Sequence, residues 1–199
     1  MITRKEMTRM LLKEGLLSWL ANNSFESVTV TSLCKASGIT RSTFYLHYSN
    51  IMEIVDDLVD DAISYSRPGM VDNNNLQIIA KALSAASNSV SLREAYDSIF
   101  DRLPLCQRII RHKKYLPLFL DEQISEYVLQ RIIGREKDRQ GVVIAESLGI
   151  SFDVGVSVFV FLVHGLYAVN KQYKWSQSDE WLEAQKIIFE LVYRGLQRR

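Results

Sequence analysis

The chain has little of what most structural alternatives require. Two cysteines in 199 residues, Cys34 and Cys106, supply neither a disulfide framework nor a metal-ligand spacing. Three prolines and nine glycines, without regular spacing of strand and turn, favour an all-helical reading. No Gly-rich phosphate loop, zinc spacing or nucleophile elbow occurs. Cys106 and His112 are the nearest approach to a thiol–imidazole pair, and their spacing puts them on different faces of a helix. No catalytic residue, metal or cofactor is therefore expected. A charged-then-apolar leader is also missing, since Thr3-Arg4-Lys5-Glu6 already reads as a helix start. The expectation is a reducing, cytoplasmic setting. The formal net charge of +1 carries no information as a total, so its distribution has to be read instead.

What is present is ordinary soluble composition, with 47% hydrophobic and 24% charged residues and enough length for a real core. Residues 1–49 hold six basic side chains (Arg4, Lys5, Arg9, Lys13, Lys35, Arg41) and three acidic ones (Glu6, Glu14, Glu26). Residues 50–66 add only acid: Glu53, Asp56, Asp57, Asp60 and Asp61. A modestly basic head beside an acidic helix suits a phosphate-bearing partner met along a defined edge.

The segment Val28–Glu53 organises the rest. Thr29 is an N-cap, and Val30, Leu33 and Cys34 form the inward stripe of a short helix. Ser37-Gly38-Ile39 stops it, with Gly38 free to take the positive φ of a sharp corner. Thr40 caps a second short helix whose inward residues are Phe44 and Tyr48. Arg41, Ser42, Thr43, Tyr45 and His47 lie between them; all donate hydrogen bonds and none is acidic. A helix–turn–helix with a donor-rich second helix has the geometry and chemistry of a DNA reader.

At these residues the chain resembles a known family. Phe25, Val28-Thr29-Val30, Ala36-Ser37-Gly38-Ile39, Thr40-Arg41-Ser42-Thr43-Phe44-Tyr45, His47-Tyr48 and Glu53 are similar to the N-terminal signature of tetracycline-repressor-like (TetR/AcrR) regulators. The likeness covers about the first third of the chain. It departs from the family at Asn23-Ser24, where a Gly usually precedes the Phe25 position, and at Ile51, where a Lys is usual. The resemblance implies DNA contacts at Thr29, Thr40, Arg41, Ser42, Thr43, Tyr45 and His47. Arg41 is the candidate for a guanine edge, and Thr43, Tyr45 and His47 for phosphates and thymine methyls.

Upstream, Thr3 and Glu6 have capping-box spacing, and Met7, Met10, Leu11, Leu17 and Leu20 are expected to form the apolar side of a first helix, joined by Trp19. Arg4, Lys5 and Arg9 are read as solvated charge or as phosphate contacts. Downstream, Ile51, Ile54, Val55, Leu58, Val59, Ala62 and Ile63 make a helical stripe that ends near Ser66-Arg67-Pro68-Gly69. Asp72 to Asn75 is expected as a loop. Leu76–Ala86 and Leu92–Leu103 read as amphipathic helices, with Pro104 bounding the second, and Cys106, Ile109 and Ile110 as a short helix. Pro117 is expected to open a long helix through Ile132, followed by a charged corner at Arg135–Gly141. Residues 152–169 are nearly all apolar, but Asp153 and His164 interrupt them, so a buried helix is preferred to a membrane span. Gly155, Ser157, Gly165 and Ala168 would let another helix approach it closely. A last helix carries Trp181, Leu182, Gln185, Ile188, Phe189 and Val192.

The organisation expected is a three-helix helix–turn–helix DNA-binding domain over residues 1–49 and a helical effector-binding and dimerisation domain over 50–199, with 50–66 as the linking helix. The resemblance implies a homodimer joined through the last two helices and a near-palindromic operator. It further implies a repressor released by a small-molecule effector. Tyr96, Phe100, Phe119, Tyr127, Phe161 and His164 are the candidate effector lining, with simple core as the competing role of each. A regulator of the same kind worked by a protein partner is the alternative.

Overall fold

The computed structural model describes residues 3–66, 75–85, 90–104, 107–108 and 113–196. The breaker at Arg67-Pro68-Gly69, the polar run 72–74, Ala86, Cys106, Ile109, Ile110 and His112 lie outside them. Among the described residues the regular structure is entirely helical. The α-helices are α1 (Arg4–Leu20), α2 (Val30–Ser37), α3 (Arg41–Tyr45), α4 (Ile51–Ser66), α5 (Asn75–Ser84), α6 (Leu92–Ser98), α7 (Leu116–Leu120), α8 (Ser125–Leu148), α9 (Phe152–Gln172) and α10 (Asp179–Leu196). Single 3-10 turns cover Phe25–Ser27 and Phe100–Arg102.

The chain divides into two compact units: residues 1–64 with 112–132, and residues 65–111 with 133–199. In the first, Thr3 and Glu6 form the reciprocal capping box that opens α1. The buried side of α1 is Thr8, Leu12, Leu16, Leu17 and Leu20, while Met7, Met10 and Leu11 stay partly exposed. Leu17 and Leu20 are buried as expected, but the first two turns of the stripe face differently from the sequence reading. The cause is Thr8, a polar residue on the inward side, whose hydroxyl is satisfied by donating to the Arg4 carbonyl at 3.0 Å. α1 packs against α2 and α7.

No long helix starts at Pro117. α7 stops at Leu120, because Asp121 leaves helical geometry (φ −75°, ψ 120°) and turns its carboxylate back onto the chain. That carboxylate accepts the N–H groups of Gln123 (2.9 Å), Ile124 (3.2 Å) and Phe25 (2.7 Å). It thus caps the approach to α8 and holds the turn that follows α1.

In the second unit, α5, α6 and α10 pack against one another. The expected corner at Arg135–Gly141 is absent; α8 runs through it to Leu148. Gly141 serves close packing instead, since a Cβ on Gly155 of α9 would fall 2.4 Å from the Gly141 carbonyl oxygen. Helix 92–103 is interrupted at Ile99 and tightens into the 3-10 turn. Between α9 and α10, Lys174 and Trp175 both adopt positive φ (51° and 56°). Burial of Trp175 against the Tyr167 ring, at 5.6 Å, holds this corner. Trp181 secures it further by donating its indole N–H to buried Asn170 at 3.0 Å.

α9 was expected as a buried helix needing partners on several sides; in the single chain one side stays open, with Phe161 72% exposed and Phe152 and Val154 close to half exposed. Val154, Ser157, Phe161, Gly165 and Ala168 are all exposed and recur at helical spacing, forming one uncovered seam. α10 likewise leaves Ile187 and Leu191 uncovered.

Candidate nucleic-acid interface

The geometry of the α2–α3 corner follows from its capping residues. The Thr29 hydroxyl accepts the Ser32 N–H at 3.0 Å, and the Ser32 hydroxyl oxygen accepts the Thr29 N–H at 2.9 Å. At the far end Gly38 takes φ 66°, ψ 26°. The Ile39 N–H reaches back to the Cys34 carbonyl at 2.9 Å and the Gly38 N–H to that of Lys35 at 3.4 Å. This is a Schellman closure, in which the left-handed residue is Gly because a Cβ would be strained there. Thr40 then starts α3, its hydroxyl accepting the Thr43 N–H at 3.2 Å.

Packing fixes which way α3 faces. Phe44 is 0% exposed and Tyr48 is buried behind it, the two rings 6.2 Å apart. Arg41, Ser42 and Tyr45 are consequently exposed, as are Thr29 and Thr40, while Thr43 and His47 are half-buried. Among the described residues His47 Nδ1 has no hydrogen-bond partner. All seven residues expected at a DNA contact thus belong to one small subdomain, five of them open to solvent. Leu46, 81% exposed, stands among them and was missed; being apolar, it carries no signal of polar recognition.

The electrostatics of this face are set by pairing on its inner side. Arg9 Nε donates to Asp57 at 3.0 Å and its guanidinium lies 4.9 Å from the centre of the Tyr48 ring. The Tyr48 hydroxyl donates to the same carboxylate at 2.6 Å. Burial would raise the Asp57 carboxyl. The hydrogen bonds from Arg9 and Tyr48, with the charges of Arg9 and Lys13, outweigh it and hold the group below its ordinary 3.8. Burial and the Asp57 bond push the Tyr48 phenol well above the usual range. Lys13 pairs with Asp61. Of the six bases in the head, Arg9 and Lys13 are therefore neutralised internally, whereas Arg4, Lys5, Lys35 and Arg41 are all exposed. Glu6 is engaged in its cap and Glu14 with Lys114 at 2.7 Å. The outward charge is more one-sided than the sequence total.

Arg4 also lines a cleft of about 510 Å³ with Thr3, Met7, Thr8, Gly38, Ile39, Thr40 and Thr43. Its hydroxyls and guanidinium have the donor character that a phosphate oxygen requires. Next to Asp57 on α4, Asp56 accepts the Tyr127 hydroxyl at 2.7 Å. Arg131 Nε also lies 2.7 Å from Asp56, but off the N–H direction, as a charge contact and not a hydrogen bond. Two adjacent acids on α4 thus hold α1 and α8 respectively.

The six candidate effector residues divide between the units. Phe119, buried, and Tyr127, bonded to Asp56, fall in the first. Tyr96, Phe100, Phe161 and His164 fall in the second. Tyr96 is 1% exposed, packs edge-on to Trp181 at 5.2 Å and donates to Gln107 at 3.1 Å; Gln107 donates in turn to Gln185 at 2.8 Å. Phe161 is an outward residue of α9. Phe100 and His164 are half-buried. Gln185 lies buried on the packing face of the last helix where it was expected, whereas Gln107 and the bond between the two amides carry no signal in the sequence. Among the described residues no group of three or more His, Cys, Asp or Glu side chains gathers as a metal site. Cys34 is a buried free thiol that burial makes harder to ionise.

No family model matches the chain, and no curated protein matches it. A solved structure of a TetR family repressor, AlkX from Dietzia sp. strain DQ12-45-1b, implicated in biodegradation of n-alkanes, aligns with 96% of this chain and 95% of that one. The identity is 14% and the TM-score 0.43, a distant likeness.

Proposed function

We propose that the chain is a sequence-specific DNA-binding transcriptional regulator of the TetR/AcrR kind, without catalytic activity and acting in the cytoplasm. The observation that carries this reading is α3. It is anchored by Phe44 and Tyr48 and presents Arg41, Ser42 and Tyr45 to solvent, with no carboxylate anywhere in residues 28–48. In the major groove, Arg41 is assigned to a guanine edge, and Thr29, Thr40, Thr43 and His47 to the backbone or neighbouring bases. Arg4, beside Thr40 and Thr43 in the cleft, is assigned to a phosphate; Arg9 is not, because Asp57 holds it.

The uncovered faces of α9 and α10 are assigned to a homodimer, which gives a near-palindromic operator with one recognition helix per half-site. α9 has the length and apolarity of a membrane span, with mean hydropathy 1.9. Its uncovered residues form a stripe, however, and its other side carries Gly155, packed onto α8, and Asn170, bonded to Trp181. A one-sided seam supports a protein interface. Repression, with release by a small-molecule effector in the second unit near Tyr96 and Phe100, completes the proposal. Release needs only that the effector prefer the conformation whose half-site spacing no longer fits DNA.

The test is selection from a random duplex pool by the purified protein, followed by titration of the selected duplex beside a scrambled one. Enrichment of a two-fold symmetric sequence, bound more tightly than its scramble, is expected. Equal binding to both would overturn specific recognition.

A further inference from the structure

We infer that Leu46 is a specificity-determining residue of the DNA interface and that it reads the methyl group of a thymine in the major groove. The inference rests on the DNA-binding reading above. Leu46 is 81% exposed, more than any other large apolar side chain among the described residues. It is not a loosely held loop residue. Its N–H is shared between the carbonyls of Ser42 (3.3 Å) and Thr43 (3.2 Å), which extends the last turn of α3. With backbone helical at Leu46 (φ −74°, ψ −17°), its side chain lies one turn beyond Ser42 on the same face, as Tyr45 lies one turn beyond Arg41. The outward surface therefore has four members: Arg41 and Ser42 at its start, Tyr45 and Leu46 at its end.

The surroundings select the partner. Every polar side chain around Leu46, from Arg41 to His47, donates hydrogen bonds and none is acidic, so the face as a whole suits an anion. Leucine itself has no donor for a phosphate and no acceptor for a base edge. In the major groove the apolar feature that distinguishes one base from another is the C5-methyl of thymine. An apolar side chain fixed on a reading surface has that group as its match. Burying one methyl is worth about a four-fold change in affinity per half-site.

The experiment uses the full-length protein and a duplex that it selects from a random pool. Each thymine is replaced singly by deoxyuridine, which keeps the base pair and removes only the methyl. One position per half-site is expected to weaken wild-type binding by about four-fold. Leu46→Ala should show the same loss on the unmodified duplex and no further loss at that position. Leu46→Met, which keeps the apolar volume, should restore the discrimination. Indifference of the wild type to every deoxyuridine, or unchanged discrimination in Leu46→Ala, would overturn the inference while leaving DNA binding intact. A Leu46→Ala loss equal at all positions, methylated or not, would make Leu46 a sugar contact and overturn it likewise. Failure to select any duplex would overturn the DNA-binding reading, and this inference with it. Thermal melts of both variants should match the wild type, because so exposed a side chain contributes little to the core.

Discussion

Substituting Phe161 by Glu is the sharpest test of the assembly, because in a single chain this residue has little packing to lose. An aromatic side chain buries about 150–250 Å², and 72% of Phe161 is open to solvent. Covering that remainder at about 25 cal/mol per Å² is worth roughly 3–4 kcal/mol per protomer. Leu191, 66% exposed, adds roughly 1–2 kcal/mol by the same argument. In a two-fold dimer each contribution counts twice, giving roughly 8–12 kcal/mol against an association cost of about 4–15 kcal/mol. Loss of the two phenyl groups, with two carboxylates placed in the seam, should weaken the dimer by at least about 3 kcal/mol, or more than 100-fold. Sedimentation velocity over a concentration series reads this directly, with circular dichroism to show that the variant remains helical. Phe189 is the wrong residue for the purpose: it is 3% exposed, so a charge there would unfold the chain and leave assembly undecided. A wild type that sediments as a monomer at micromolar concentration, or a Phe161→Glu variant with unchanged association, would refute the interface and two-half-site recognition together.

Arg41→Ala is expected to weaken specific binding by about 1–3 kcal/mol while sparing the scrambled duplex, as paired titrations would show. Gly155→Ala should destabilise the fold by about 1–3 kcal/mol, since the new methyl meets the Gly141 carbonyl at 2.4 Å, whereas Gly165→Ala, with nothing within 4 Å, should gain up to about 1 kcal/mol of helix propensity in the isolated chain. Urea unfolding of the pair separates the two environments on one helix. Asp57 is held below its ordinary 3.8, so its contribution is fully present above about pH 5 and is lost as pH falls through and below that value. Melts of Asp57→Asn should therefore show a lower stability near neutrality and a shallower acid decline than the wild type. Ile51→Lys should tighten specific and non-specific binding alike and steepen the log–log salt dependence by about 0.9 per added phosphate contact; an unchanged slope with a lower melting temperature would show that the half-buried Ile51 belongs to the core.

The head was legible because its signals are local. Thr3, Thr29 and Thr40 each fulfil the capping role that their spacing announces, and Gly38 adopts the positive φ that its position between two stripes requires. The errors fall where a side chain works at long range. Nothing near Asp121 in sequence says that its carboxylate will also hold the Phe25 N–H, at the residue whose extended backbone ends the helix that Pro117 was expected to open. Gly141 looked like a corner because glycine usually marks one, but here the missing Cβ admits a neighbouring helix. A glycine's two uses, freedom of φ and lack of bulk, are indistinguishable without the partner.

Charge shows the same limit in the site itself. In sequence, residues 50–66 add only acid beside a modestly basic head, and Arg4, Lys5 and Arg9 read alike as solvated charge or as phosphate contacts. Folding pairs one with the other. Asp57 and Asp61 withdraw Arg9 and Lys13, and Asp56 turns to Tyr127 and Arg131. The bases left outside are Arg4, Lys5, Lys35 and Arg41, so the acidic helix sharpens the basic face without repelling the partner. An Asp57→Asn variant would keep the shape of the carboxylate but release part of the hold on Arg9. If the pairing matters only for stability, DNA affinity measured well below the melting temperature should not change. If α4 also positions the reader through Tyr48, whose hydroxyl shares that carboxylate, affinity should fall with the fold intact. The second outcome is the one expected, because Tyr48 packs directly behind Phe44, the residue that sets the direction of α3.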